Sequence, residues 1–237
     1  MDKFTVTLLA GKKQSGKDTV ATRLVSEHKY AHTSFAGFLK ELSLNILHNM
    51  ECKITPEHFS DPELKEKFIV DIHGKQFMFK NRGKSEVKMT YRQFLQQFGT
   101  EAMRTHIHAD IWVLPVLKFI RDAFNDPQKR YNGVVVSDCR FPNEIEEVKR
   151  YCKQFGDMMN VIDVEIVRPG LPKMDLHASE IALDDFSFYM GILNDGSLED
   201  LYVKADQLAT GEWRVGMMNK QVQKNHEKHW LRQYDKK

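Results

Sequence analysis

The sequence predicts an α/β fold, a parallel β-sheet covered by helices on both faces and carrying an inserted segment. Three observations lead there. The apolar run Phe4-Thr-Val-Thr-Leu-Leu-Ala10 passes through Gly11-Lys12-Lys13-Gln14-Ser15-Gly16-Lys17-Asp18-Thr19 into a helical pattern with Val20, Leu24 and Val25 on one face. The run Gly133-Val-Val-Val-Ser-Asp138 stays apolar almost to its closing acid, as a strand buried on both faces does. Strand-like and helix-like segments alternate along most of the chain, and that alternation lays helices over a parallel sheet.

In order, residues 4–10 read as the first strand, and a helix of about ten residues starts at Lys17. Ala31 to Phe35 reads as a second strand. Gly37 to Met50 is a helix, because Phe38, Leu39, Leu42, Leu44, Ile46 and Leu47 make a helical pattern. Residues 51–90 break the pattern with Pro56, Pro62, a charged stretch and a hairpin (Phe68–Ile72, a His73-Gly74 turn, Lys75–Phe79). They read as an insertion in a core made of 1–50 and 91–210. Tyr91–Met103 and Ile111–Phe124 read as helices, and Gly133–Asp138 as the buried strand. Pro142 and Asn143 open a helix to about Tyr151. Val161–Val167 and Tyr189–Leu193 are further strands. Asn194-Asp-Gly-Ser197 turns the chain into a helix through Leu208. Residues 211–237 form a basic tail read as helical, with Lys220, Lys224, Lys228, Arg232 and Lys236 at intervals of four. That stripe reads as a solvated face ahead of a nucleic-acid contact.

Gly11, Gly16 and Lys17 fall in the register G-x-x-x-x-G-K. Glycines let successive backbone N–H groups curl around an anion, Lys17 can reach terminal phosphates, and the helix starting at Lys17 adds its positive N-terminal end. A preceding strand and a following helix supply the context the motif needs. The Ser or Thr that usually follows the lysine, and holds Mg²⁺, is replaced by Asp18, with Thr19 next. Asp18 can take the metal directly or through water, and the Thr19 hydroxyl can contact a phosphate. Asp138 ends the buried strand, where it can hold the metal's water shell, bind a substrate hydroxyl or base, or cap the next helix. Arg140 points into the same crevice as a phosphate clamp. Arg92 and Gln96 share a helical face. Arg168-Pro169-Gly170 and the polar stretch to Glu180 read as a mobile cover that brings a cation to the phosphates. Lys40 can meet a second phosphate, and Trp112 is either core or a platform for a base. Such sites lie at the carboxyl ends of strands, where the loop, Asp138, Arg168 and Asn194 all fall.

Composition narrows the classes. With 237 residues and 41% hydrophobic content, the chain can bury a core and is not a disordered segment. Its 35 basic and 33 acidic residues leave a net charge of +2, which argues neither for nor against nucleic acid. Three cysteines (Cys52, Cys139, Cys152) without C-x-x-C spacing fit free thiols in a reducing cytoplasm. No apolar run approaches the ~18 residues of a membrane span.

The ordered set of motifs resembles a known family. Ser15-Gly-Lys-Asp-Thr19, Ala36-Gly37-x-x-Lys40, Arg92-x-x-x-Gln96-x-x-Gly99-Thr100 and Asp138-x-Arg140 come first. Val167-Arg168-Pro169-Gly170, His177-x-Ser179-Glu180 and Asn194-Asp195-Gly196-Ser197-Leu198 continue it. Together they look like the deoxynucleoside monophosphate kinases of tailed bacteriophages, across about residues 4–208 and patchily through 51–90. The resemblance implies a P-loop kinase fold and an ATP- and Mg²⁺-dependent kinase acting on deoxynucleoside 5′-monophosphates in a cytoplasm, the host's if the chain is phage-encoded. It implies that Lys12 to Thr19 hold the donor's phosphates. Lys40, Arg92, Gln96, Gly99, Thr100, Trp112, Asp138, Arg140 and Glu144 would line the acceptor site. Lys17, Arg92, Arg140 and Arg168 would carry the catalysis, and Asp18 and Asp138 the metal. Partners would be small-molecule nucleotides, with a homodimer left open and neither membrane nor nucleic acid expected. Two alternatives stand beside this: another small-molecule kinase of the dephospho-coenzyme A type, which shares Gly-Lys-Asp-Thr, and a nucleotide switch that binds nucleic acid.

Overall fold

The computed structural model describes residues 3–80, 86–171, 181–212 and 217–219. Its elements in chain order are β1 (Phe4–Ala10), α1 (Lys17–His28), β2 (Tyr30–Thr33), α2 (Phe35–Asn49), α3 (Glu57–Ser60), β3 (Phe79–Lys80), β4 (Glu86–Val87), α4 (Tyr91–Gln96), α5 (Val113–Phe124), β5 (Gly133–Cys139), α6 (Pro142–Cys152), β6 (Met159–Val167), β7 (Met190–Leu193), α7 (Leu198–Thr210) and β8 (Met217–Asn219). Contacts divide the chain into two units, Met1–Ser34 with Val116–Lys237, and Phe35–Pro115.

The first unit is built on a six-stranded sheet in the order β2-β5-β1-β6-β7-β8. Its first five strands are parallel, and β8 pairs antiparallel with β7. The centre of the sheet is β1, seven residues with only Thr5 partly exposed. Its neighbour β5 is buried along its whole length, as its unbroken apolar run predicts. One face carries Leu9, Val135, Ile162, Val164, Ile166 and Ile192. Packed on them are Val20, Ala21 and Leu24 of α1 and Leu201, Ala205 and Leu208 of α7. Side chains alternate across a strand, so Val6, Leu8, Val134 and Val136 face the other way, and they too are fully buried. That second face is covered in part by α6: its Lys149 ion-pairs with Asp163, which lies between Ile162 and Val164 and therefore points away from α1. Helices on both faces of a parallel sheet are the arrangement expected from the sequence.

The register sets the height of the site. Ala10 pairs with Cys139 on one side and Glu165 on the other, so β5, β1 and β6 finish at the same edge. β7 follows suit, its Leu193 opposite Val167.

The second unit has an aromatic core. Leu47, Cys52, Phe59, Ile69, Tyr91 and Phe94 are buried together, with Phe77, Phe79 and Phe98 against them. This core shows what residues 51–90 pack with. Among the described residues, Phe59, Ile69, Phe77 and Phe79 share this cluster with Leu47 of α2 and Tyr91 and Phe94 of α4, within the unit Phe35–Pro115. Within it the 68–79 hairpin forms around Asp71, whose carboxylate accepts the N–H groups of His73 and Lys75, both at 2.9 Å. Its ladder is reduced to the bridge Val70–Gln76.

Three further differences from the sequence reading have physical causes. The helix expected over 91–103 is α-helical only to Gln96; Gln97–Arg104 is a π-helix. There the Thr105 N–H reaches back five residues to the Thr100 carbonyl. The strand expected over 31–35 ends at Thr33, because Phe35 is buried as the first residue of α2. In the tail expected to be helical, Met217–Asn219 is strand β8 on the edge of β7; Lys220 to Lys237 lie outside the described residues.

Candidate functional site

The turn from β1 to α1 has the backbone that its glycines allow. Gly11, Gln14 and Gly16 have φ of 145°, 65° and 106°, all in the region that L-residues with side chains disfavour. A Cβ on Gly11 would lie 2.5 Å from the Ile166 carbonyl oxygen, and one on Gly16 would lie 2.6 Å from Nδ2 of Asn194. The turn closes through Ser15 N–H to the Lys12 carbonyl at 3.1 Å. α1 begins at Lys17 with no side chain capping its N-terminus. Its first backbone N–H groups have no partner inside the helix, and a helix end in that state is an anion site. The Ser15 hydroxyl is buried without a hydrogen-bond partner.

Around this turn stand the ends of β5, β6 and β7. Asp138 is nearly buried at the end of β5, and Arg140 beyond it is exposed. Glu144 is 1% exposed, and its Oε2 accepts the backbone N–H of Arg140 at 2.6 Å and of Phe141 at 3.0 Å. This carboxylate holds the β5–α6 turn that presents Arg140. Cys139 between them is no nucleophile: burial first, then the nearby Glu144 and Asp138 charges, push its thiol well above the usual range. From the end of β6, Arg168 Nη1 reaches the Gln14 carbonyl at 3.5 Å. The Lys12 ammonium ion-pairs with Asp184. From the end of β7, Asn194 donates its side-chain N–H to the Ser15 carbonyl at 2.8 Å.

In the second unit Thr90 caps α4 through a reciprocal bond with Gln93, which starts the helix one residue before Arg92. Arg92 and Gln96 share a face of α4, and the Arg92 guanidinium is ion-paired with Glu66. Gly99 is buried in the π-helix, where a Cβ would lie 2.5 Å from Leu39. Its carbonyl accepts the Trp112 indole N–H at 2.9 Å. Trp112 is 4% exposed and meets Phe98 edge to face, so it is a core residue that pins the Gly99–Thr100 segment.

A sequence model of the deoxynucleotide monophosphate kinase family matches residues 43–205. The chain belongs to the deoxynucleotide monophosphate kinase family. A protein of Acanthamoeba polyphaga mimivirus assigned by name to the same activity is 27% identical over 205 residues, covering 82% of this chain and 90% of that protein. The deoxynucleotide monophosphate kinase of Enterobacteria phage T4 is 23% identical over 239 residues, covering 83% of this chain and 95% of its own. Membership makes the chain a kinase, a transferase acting on nucleotides. No helix among the described residues is long and apolar enough to cross a membrane.

The kinase fold places the expected residues in two groups. Lys12, Lys13, Gln14, Ser15, Lys17, Asp18, Thr19, Asp138, Arg140, Glu144 and Arg168 belong to the first unit, and Lys40, Arg92, Gln96, Gly99, Thr100 and Trp112 to the second. His177, Ser179 and Glu180 lie outside the described residues. Glu66, Asp184 and the anchoring side chain of Asn194 escaped the sequence reading. Asn194 stood in a quoted motif and at a strand end, which was the available signal; for Glu66 and Asp184 there was none, since each partner lies far away in the chain.

The donors present fit a nucleotide's phosphates. Lysines, an uncapped helix start and an unpartnered buried hydroxyl converge on one glycine turn. Asp18 and Asp138 carry hard carboxylate oxygens of the kind Mg²⁺ would take alongside phosphate ligands.

Proposed function

We propose that the chain is an ATP-dependent kinase that converts deoxynucleoside 5′-monophosphates to diphosphates by in-line γ-phosphoryl transfer with Mg²⁺. The observation that carries the donor half is the glycine turn between β1 and an uncapped α1, with Lys17 as the first helical residue. Family membership carries the acceptor half.

The acceptor phosphate is already an anion, so no general base is needed. The protein's task is positioning and charge neutralisation around the transferred group. Lys12 to Thr19 take the donor's triphosphate, with Lys17 drawing charge from the β- and γ-oxygens. Arg140, fixed by Glu144 at its backbone, and Arg92, paired with Glu66, hold the acceptor phosphate. Arg168 reaches the phosphate turn at Gln14 and adds a cation as charge builds. Asp138 and Asp18 would be the carboxylates to hold Mg²⁺ beside the phosphates, and the ion would supply positive charge against oxygens that repel the attacking anion.

The test is ADP formation from Mg·ATP with each deoxynucleoside monophosphate, with dephospho-coenzyme A and with water alone. The reading requires acceptor-dependent ADP and a matching diphosphate. Turnover only with dephospho-coenzyme A, or ADP with water alone, overturns it. Lys17→Ala should lower the rate a hundred- to several-thousand-fold, about 3–5 kcal/mol of transition-state stabilisation, with the fold intact. A variant keeping more than about a tenth of the rate, only about 1.4 kcal/mol, would remove Lys17 from that role.

A further inference from the structure

We infer that Asn194 is a positioning residue for the phosphate turn: it fixes one peptide so that the Gly16 N–H is aimed at the bound anion. Three observations converge on it. Its side-chain N–H is donated to the Ser15 carbonyl at 2.8 Å. Its Nδ2 stands 2.6 Å from where a Gly16 Cβ would be, so the amide occupies the space that the glycine leaves open. Its own backbone N–H is donated to the Val167 carbonyl at 2.7 Å, tying it to the end of β6.

The consequence follows from peptide geometry. In a planar trans peptide the C=O and the following N–H point in opposite directions. Holding the Ser15 oxygen against Asn194 therefore turns the Gly16 N–H away from Asn194, to the open side of the turn. The peptide needs this hold, because the residue that follows it is Gly16 at φ 106°, and glycine adopts positive and negative φ about equally readily. Flipped over, it would present a carbonyl oxygen to the phosphates and withdraw a donor. Asn194 is itself braced: Lys204 of α7, with a side chain 17% exposed, donates to the Leu193 carbonyl at 2.6 Å and stands 3.6 Å from Asp195. The brace runs from α7 through the end of β7 to the turn.

This inference rests on the donor half of the proposed function, and its test separates the two. Binding of Mg·ATP to the full-length chain is measured by calorimetry for wild type, Asn194→Ala and Asn194→Asp, with a melting curve for each and steady-state kinetics for both substrates. Loss of one hydrogen bond that sets a binding peptide should weaken ATP about tenfold in Asn194→Ala. Asn194→Asp, which keeps the size but sets a carboxylate against the Ser15 oxygen, should bind more weakly still. The KM for ATP should rise while the KM for the acceptor stays where it is, a split that general loss of stability would not produce. Wild-type affinity in both folded variants, or an equal rise in both KM values, overturns the positioning role and leaves the kinase reading standing. Wild-type protein that binds ATP but makes no diphosphate overturns the kinase reading alone. Wild-type protein that does not bind ATP overturns both.

Discussion

Replacing Gly16 by alanine loads a single methyl group onto a crowded point of the glycine turn. The residue sits at φ 106°, where a Cβ costs about 1–2 kcal/mol. The new Cβ would also stand 2.6 Å from Asn194 Nδ2 and 3.0 Å from Leu201 Cδ2. The amide must move, and its hydrogen bond to the Ser15 carbonyl, worth about 0.5–1.5 kcal/mol, goes with it. Alanine recovers about 0.4–1 kcal/mol by restricting the unfolded chain. The balance is a destabilisation of about 1–3 kcal/mol, or about 2–12 °C in melting temperature for a chain of this size. Urea titrations of wild type and Gly16→Ala, followed by far-ultraviolet dichroism, read it directly. The same variant should lose ATP affinity, because the turn can no longer close on an anion. A midpoint shift worth less than about 0.5 kcal/mol would refute the reasoning, since ordinary surface substitutions do as much.

Other outcomes are equally specific. Lys149→Met removes the cation from Asp163, a fully buried carboxylate whose other oxygen takes the Tyr189 N–H at 2.9 Å; unfolding should become easier by about 2–4 kcal/mol, and a neutral result in a urea titration would show that water already serves that carboxylate. Asp206 takes two hydrogen bonds from Arg23 and one contact from His28, and these hold its carboxyl below the ordinary range. A depressed folded value contributes stability above the unfolded value of about 3.9 and loses it as pH falls further; Asp206→Asn should therefore cost stability at neutral pH, with the deficit closing below about pH 4 in melting curves. Burial raises the thiols of Cys52 and Cys152 to about 11 and about 12, so both, with Cys139, should resist a thiol reagent in the native protein and react in urea; rapid native labelling of any of them would contradict the packing.

What could be read from the residues was what depends on short stretches of chain. The phosphate turn is a local device: its glycines, its lysine and the apolar run before it lie within sixteen residues of one another, counting from Phe4 to Thr19. β5 was equally plain, because a strand buried on both faces leaves no polar alternation. The π-helix was hidden, since the apolar spacing of residues 91–103 suits an α-helix and the contacts within the widened stretch, Gly99 beside Leu39 and bonded to Trp112, join residues far apart in the chain. The packing of residues 51–90 was hidden for a related reason: they look irregular alone, and the shared burial of Phe59, Ile69, Tyr91 and Phe94 shows what they pack with. Trp112 shows the limit most clearly. Its chemistry allowed either packing or stacking on a base, and its burial and its hydrogen bond to a carbonyl thirteen residues away had no signal in the sequence.

Strand β8 has a consequence for handling the protein. It runs antiparallel along the outer side of β7, pairing Met217 with Ile192 and Asn219 with Met190. An uncovered β7 would offer a row of free N–H and C=O groups to any extended segment that met it, including the same strand of another molecule. Shortening the chain ahead of Met217 would thus do more than trim a basic tail. It would exchange the three-residue edge β8 for the longer, more apolar edge of β7, and the first symptom would be loss of solubility before any loss of turnover.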